Sequence, residues 1–323
     1  VLAGLLLCVA VALGALVFGH LAPLVGAPVF ALVLGAVVAS MRPPGEAFSP
    51  GIRFAGKELL QLAIVLLGAT LSLGEIARMG LHSLPVLLGT AIITLAAAYV
   101  FGRMLGIDRD LRRLLGVGTT VCGGSAIVAL AGVIDVDQAD VAYAISTVFL
   151  FNIAAVLTFP WIGHALGLSA HAFGLWAGTA INDTSSVVAA GYAFGHGAAS
   201  EAIIVKLTRT TLIIPLVMFY AGKRLLSART DTAVRWAAVI PWFILWFVLA
   251  AVLNTLRVIP QSAHAPLSTA ALFLIVLALA GVGLSTNLSA IRAVGLRPLV
   301  LGGVLWIVIA CSSLIIARAA HLS

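Results

Sequence analysis

Long apolar runs, separated by short polar punctuation, fill this chain from end to end. About eleven such segments can be marked, at residues 2–18, 27–41, 58–73, 84–100, 114–134, 141–162, 173–194, 202–220, 234–256, 267–284 and 299–317. A bilayer-spanning helix needs about 20 apolar residues, roughly 17–25; the second and third segments are short by that measure. No connection is long enough to hold a separate folded unit. Residues 1–323 therefore read as one integral membrane domain, all-α and polytopic, because helices satisfy their own backbone in lipid. The first segment exceeds the apolar core of a signal peptide and lacks a clear cleavage site, so it reads as a span. The chain begins at Val1 rather than Met, and a short leader is expected before it.

Two segments are interrupted at matching points by small and hydroxyl residues. The first reads GTTVCGGS, from Gly118 to Ser125, and the second GTAINDTSS, from Gly178 to Ser186. At membrane depth irregular backbone is tolerated only against protein or a water-filled cavity. Paired interrupted segments are the best sequence pointer to a secondary transporter's binding site. Gly118, Thr119, Ser125 and Ala129 align with Gly178, Thr179, Ser185 and Ala189. A second echo relates LSLGEIARMGLHSLPVLLG in residues 64–89 to LSTNLSAIRAVGLRPLVLG in residues 275–302. Seven segments separate these copies, so they run in opposite orientation and point to inverted repeats. The interrupted pair lies two segments apart, hence parallel if both cross; if both are re-entrant and enter from opposite faces, they are inverted. Parity allows both. Chance recurrence of small-residue helix-packing patterns also accounts for the echo.

Composition confirms the solvent: 62% of residues are hydrophobic and 9% charged, against about 25% charged in a soluble domain, and mean hydropathy is +1.20. The net charge of +7 does not point to nucleic acid, because the basic residues lie between apolar runs and form no stripe with aromatics. They gather in the even-numbered connections: Arg42, Arg53 and Lys57; Arg103, Arg109, Arg112 and Arg113; Lys223, Arg224, Arg229 and Arg235; Arg292 and Arg297. The sixth connection has none, and the odd ones hold Arg78 and Arg257. Basic loops stay cytoplasmic, which puts the N-terminus inside and the C-terminus outside. Cys8, Cys122 and Cys311 all lie in apolar segments, which argues against a disulfide framework.

The chemistry sits around the interruptions. Gly123 and Gly124 weaken the helix, while Thr119, Thr120 and Ser125 supply hydroxyls; a helix restarting there offers free N–H groups to an anion. Close helix packing is the competing explanation. Asp183 lies mid-segment, where a charge costs at least about 2.5–3.5 kcal/mol, beside Asn182, Thr184, Ser185 and Ser186. That group can carry a proton, bind an oxyanion or ligate a cation; a structural ion pair is the plainer alternative. Lys206 and Arg209 share a helix face, and Arg209 lies roughly 12 Å inside, counting from Glu201. Arg offers a tetrahedral oxyanion a fork of donors, whereas Lys206 has the option of snorkelling to the interface. Asn152, Ser285, Thr286 and Asn287 line the same cavity or bond between helices. The seven histidines lack metal-ligand spacing, and Asp135, Asp137 and Asp140 read as a solvated turn rather than a metal site. No cofactor is called for. No P-loop supports ATP-driven transport, and no HExxH or GxSxG motif supplies a hydrolase with a nucleophile–base pair, so the chain does not read as an enzyme.

The motifs VCGGSAIVAL (residues 121–130), AGTAINDTSSVVAAG (177–191) and VKLTRTTLIIP (205–215) resemble the YeiH-like family of sulfate exporters. Their order and the hydrophobic layout extend the resemblance over nearly the whole chain. That family is grouped with the cation:proton antiporter and anion transporter superfamily, which implies a core domain of broken helices moving against a panel domain, often as a homodimer. The expectation is a secondary exporter of a small inorganic oxyanion at the bacterial inner membrane. Backbone at Gly123 and Gly124, with Thr119, Ser125, Asn182, Thr184 and Ser185, would hold the anion; Lys206 and Arg209 would supply charge, and Asp183 would couple H+ or Na+. The rivals are a cation/proton antiporter built on Asn182 and Asp183 and a non-transport receptor or structural subunit. Single-cysteine variants Arg112→Cys, Lys223→Cys and Arg292→Cys should all react with an impermeant reagent from the cytoplasmic face only. Labelling of any one from outside overturns the orientation.

Overall fold

Capping side chains mark where several helices begin. Ser72 and Glu75 form a reciprocal capping box, with Ser72 N donating to Glu75 Oε2 at 2.9 Å and Glu75 N to Ser72 Oγ at 3.2 Å. Asp108, Asp137, Ser169 and Asp183 each accept a backbone N–H at a helix start. In this computed structural model, residues 1–21, 26–134, 136–226, 242–286 and 295–320 are described; of residues 196, 221 and 223–226 only the backbone is. The helices are α1 (Leu2–Leu21), α2 (Ala27–Met41), α3 (Ser49–Phe54), α4 (Leu60–Gly68), α5 (Leu73–Met104), α6 (Arg109–Thr120), α7 (Gly124–Ala131), α8 (Gln138–Ala165), α9 (Ala170–Ala180), α10 (Thr184–Phe194), α11 (His196–Thr210), α12 (Ile213–Leu226), α13 (Trp242–Thr255), α14 (His264–Leu284) and α15 (Leu296–Ala319). A π-helical turn, Ala55–Leu59, joins α3 to α4. No strand occurs among the described residues.

Among the described residues, six helical stretches are long and apolar enough to cross a membrane: Leu2–Leu21, Leu73–Met104, Gln138–Ala165, Gly197–Tyr220, Gln261–Leu284 and Leu296–Ala319. Ala27–Met41 and Trp242–Thr255 are apolar but shorter. Part of the sequence segment at 234–256 lies outside the described residues, as do Asp135, Arg229, Arg235, Asn287 and Arg292.

α14 packs on α1, α2 and α4, with Phe247 of α13 closing that core. The echoed segments meet in pairs: α14 lies on α4, and α15 lies on α5. Val188 and Ala189 of α10 share that core with α2 and α14, as do Val156 of α8 and Ile203, Ile204 and Leu207 of α11. Contact between α2 and α14 is backbone on backbone. A methyl added at Gly35 would lie 2.6 Å from Ala280 O, and one at Gly283 would lie 2.9 Å from Gly35 Cα. Without a hydrophobic force between helices in lipid, such close approach supplies the dispersion contacts that hold them.

Neither interrupted segment is a continuous helix; each folds back on itself. In a straight helix, Gly118 and Ile127 would be about 13 Å apart along the axis, yet a methyl at Gly118 would lie 2.7 Å from Ile127 Cδ1. The α6–α7 segment is therefore a hairpin. In the second, Phe173 at the start of α9 stacks on Phe194 at the end of α10, with centroids 3.9 Å apart. Gly174 packs on Glu201 and Ala198, Gly178 on Ala202 and Val205, and Gly191 on Ala199. That register runs α11 parallel to α9 and antiparallel to α10.

The substitution Gly283→Leu should push α2 from α14 and lower the melting temperature, an overpacking cost of about 1–3 kcal/mol or more. Gly45→Leu, where an added Cβ meets nothing within 4 Å, should leave it unchanged. Equal melting of the two variants would contradict the backbone contact.

Candidate functional site

The two hairpins meet tip to tip. An added Cβ on Gly123, whose φ is +66°, would lie 3.7 Å from the Asn182 carbonyl carbon and Cβ. This left-handed backbone favours glycine and lets the first tip turn directly against the second. α8 runs past both hairpins and pins the second: Asn182 N donates to Asn152 Oδ1 at 3.1 Å. Midway along α9, Trp176 stacks on Phe159 at 4.2 Å and donates Nε1–H to Ala310 O at 2.9 Å, tying the hairpin to α8 and α15.

Ending α6 and α9 at the tips leaves carbonyls without intrahelical partners. α11 supplies the donors. Gly178 lets α11 close on α9, with Ala202 O only 2.6 Å from the position a Cβ would occupy. This proximity brings Lys206 and Arg209 to the breaks, where they are 0% and 1% exposed. Lys206 Nζ donates to Val121 O and to Ile181 O, both at 2.9 Å. Arg209 donates through Nε to Thr120 O at 2.7 Å, through Nη1 to Ile181 O at 3.2 Å and through Nη2 to Thr119 O. Two cations thus cap the C-terminal ends of α6 and α9, where the helix dipole is negative. The sequence reading assigned Lys206 and Arg209 to an anion. The structure directs these donors to backbone carbonyls, because each broken helix must have its last turn satisfied.

The second arms differ in their capping. Asp183 is the N-cap of α10, accepting from Ser185 Oγ, from Ser186 N at 3.2 Å and from Ser186 Oγ at 3.5 Å. That carboxylate already fills its own helix N-terminus. α7 has no side-chain cap, and an added Cβ at Gly124 would meet nothing within 4 Å. Ser125 is exposed, Thr184 is half-buried, and Thr119 and Ser185 are buried. Among the described residues, the buried side-chain polar atoms without a partner are Thr94 Oγ1, Thr120 Oγ1, Asn152 Nδ2, Asn182 Oδ1 and Trp306 Nε1. Thr120, Asn152 and Asn182 belong to the meeting of the tips, so unmet donor and acceptor capacity collects there.

All the residues singled out around the interruptions are brought to these two tips or to the α11 face beside them. Asn152 is the residue the sequence underweighted; its signal was an amide side chain mid-way along an apolar helix. Ser285 and Thr286 bond back to their own helix, through Gly281 O at 2.9 Å and Val282 O at 3.2 Å, and Asn287 lies outside the described residues. Of the histidines, His171 pairs with Glu201 at 3.2 Å and His264 Nε2 meets Asn254 Oδ1 at 2.7 Å.

The chain belongs to the conserved hypothetical protein 698 family, whose model matches residues 3–302. It is 40% identical over 318 residues to a UPF0324 membrane protein of Streptococcus agalactiae, covering 96% of this chain and 95% of the relative. Similar matches are a UPF0324 membrane protein of Streptococcus mutans, 41% identical over 326 residues with 97% and 95% covered, and one of Streptococcus pneumoniae, 41% over 319 residues with the same coverage. The relatives' names describe membrane proteins, in agreement with the apolar helices here.

Replacing Arg209 by Gln should strand the Thr119 and Thr120 carbonyls of the first tip, while Ile181 O keeps Lys206. Each stranded group is worth about 1–3 kcal/mol, so the melting temperature should fall even without any ligand. Arg209→Lys should recover part of the loss, and the exposed Lys57→Gln should change nothing. A melting temperature unaltered in Arg209→Gln would refute the capping role.

Proposed function

We propose that this protein is a secondary transporter that exports a small, sulfate-like inorganic oxyanion, with the meeting point of the hairpin tips as its binding site. The observation that carries this reading is the uncapped start of α7 beside the orphaned Thr120, Asn152 and Asn182 groups. Helix N-termini with free N–H groups attract anions. The charge balance agrees. The C-terminal ends of α6 and α9 and the N-terminal ends of α7 and α10 contribute about half a charge each, and these cancel. With Lys206 and Arg209 protonated and Asp183 ionised, one net positive charge then remains at the tips. An oxyanion is accommodated by that balance; protonation of Asp183 adds another positive charge and couples binding to H+. In this reading Gly124, Ser125 and the tip amides contact the anion, Thr119, Thr184 and Ser185 complete the polar surround, and Lys206 and Arg209 set the field from behind.

In the same reading, both hairpins are re-entrant and enter from opposite faces, while the other nine apolar segments cross. The fold-back moves the sixth connection to the exterior. Its lack of basic residues then fits the charge rule, with the N-terminus cytoplasmic and the C-terminus periplasmic. The membrane is the bacterial inner membrane, and a core of broken helices moves against a panel domain to give alternating access, commonly in a homodimer.

A second reading, cation/proton antiport, draws on Thr120 Oγ1 and Asn182 Oδ1, two buried oxygens without partners. A flux panel in proteoliposomes with sulfate, sulfite, organic anions, Na+ and K+ under an imposed pH gradient separates the two. Gly124→Val adds bulk where there is space, so it should fold normally and still block the α7 start; anion flux should drop at least about tenfold. Asp183→Asn keeps a good N-cap and should leave anion flux that no longer responds to the pH gradient. Normal anion flux in folded Gly124→Val, or Na+ flux abolished by Asp183→Asn with no anion carried by the unaltered protein, sinks the oxyanion reading.

A further inference from the structure

We propose that the arginine-lined cavity between α5, α6 and α12 binds the phosphate headgroup of an anionic phospholipid. The cavity holds about 360 Å³ and lies away from the hairpin tips, at the end of the molecule where α6 begins. Arg109, Arg112 and Arg113 line it with Tyr99 and Tyr220. Its floor is set by small residues: a methyl at Gly116 would lie 2.8 Å from Ala98 Cβ, so α6 and α5 nearly touch there. Gly102 leaves room for the Arg112 stem, whose Cγ and Cδ lie 2.5 Å from where a Cβ would stand. The stem is thus laid across the α5 backbone, and the guanidinium reaches the Tyr99 ring, 5.7 Å from its centroid. Arg113 lies 5.9 Å from the Tyr220 centroid and is paired with Asp110 at 2.8 Å. Among the described residues no carboxylate pairs with Arg109 or Arg112.

Two guanidinium groups without a carboxylate partner, one held over an aromatic face, form a ready receptor for a phosphate, whose oxygens accept the paired N–H donors of the planar guanidinium. The surroundings select the source of that phosphate. Ile92 is 70% exposed and Tyr99 60% on α5, while Met218 is 54% and Phe219 55% exposed on α12. These flank the cavity with apolar surface that a free oxyanion would leave bare and acyl chains would cover. Exposed Tyr beside Arg at the end of a long apolar helix is the pattern of the headgroup layer, and basic pockets between membrane helices take lipid phosphates. This site is separate from the transport reading and does not depend on it.

The test is native mass spectrometry and thermal melting of the detergent-purified protein with phosphatidylglycerol, phosphatidylcholine or inorganic phosphate added. Phosphatidylglycerol should stay bound under activation that strips phosphatidylcholine and should raise the melting temperature. Arg109→Gln combined with Arg112→Gln should cut its retention at least about tenfold, while Arg103→Gln, which alters a residue outside the cavity, should not. If the double variant yields too little folded protein, Arg109→Gln alone changes an exposed side chain and should still reduce retention. Equal retention of both lipids, or unchanged retention in the Arg109 variants, overturns the site. Displacement of phosphatidylglycerol by millimolar inorganic phosphate, with the same rise in melting temperature, overturns the lipid as its occupant.

Discussion

The structure depends on two cations of one helix satisfying the ends of two others. A helix that stops inside a membrane protein exposes its last carbonyls where no bulk water is present, and each costs several kcal/mol if left bare. Here Lys206 and Arg209 of α11 supply five hydrogen bonds to Thr119, Thr120, Val121 and Ile181. Ile181 O accepts from both, so the second tip is tied to the same pair that closes the first. The cations in turn are tolerable at full burial because the carbonyl ends of α6 and α9 carry negative partial charge. Each component removes the penalty of the other.

That mutual arrangement explains the unequal second arms. With the C-terminal ends closed from α11, the N-terminal ends are free to differ. α10 is closed by its own Asp183, whereas the N-cap of α7 is Gly123, which has no side chain to cap it. Asn152, reaching from α8 to the Asn182 amide, adds a fixed reference between the tips. Among the described residues, Thr120 Oγ1, Asn152 Nδ2 and Asn182 Oδ1 are buried without a partner where the tips meet, beside the uncapped N-cap of α7.

Farther out, packing holds the hairpins in place through shape. Phe173 and Phe194 close the open end of the second hairpin. His164 of α8 stacks on the same Phe194 ring at 4.2 Å. Gly174 and Gly178 bring α11 close enough for its side chains to reach the breaks, so small residues on α9 serve the electrostatics of α11. Backbone approach at Gly35 and Gly283 performs the same packing task between α2 and α14.

Much of this was legible along the chain. Apolar runs and sparse charge specify a helical membrane protein, because only helices meet their own hydrogen-bonding demand within one apolar segment. The interruptions at residues 118–125 and 178–186 mark the breaks, and the depth of Asp183, Lys206 and Arg209 marks their surroundings, since buried charge requires partners. Tertiary structure alone decided the rest. Hydropathy has no direction, so an interrupted segment reads the same whether the chain continues or folds back; contacts such as Gly118 with Ile127 and Phe173 with Phe194 distinguish the two. The task of Lys206 and Arg209 was hidden for a related reason. A side chain's identity shows that it needs acceptors, but only the approach of α11 to both tips shows that the acceptors are the ends of broken helices.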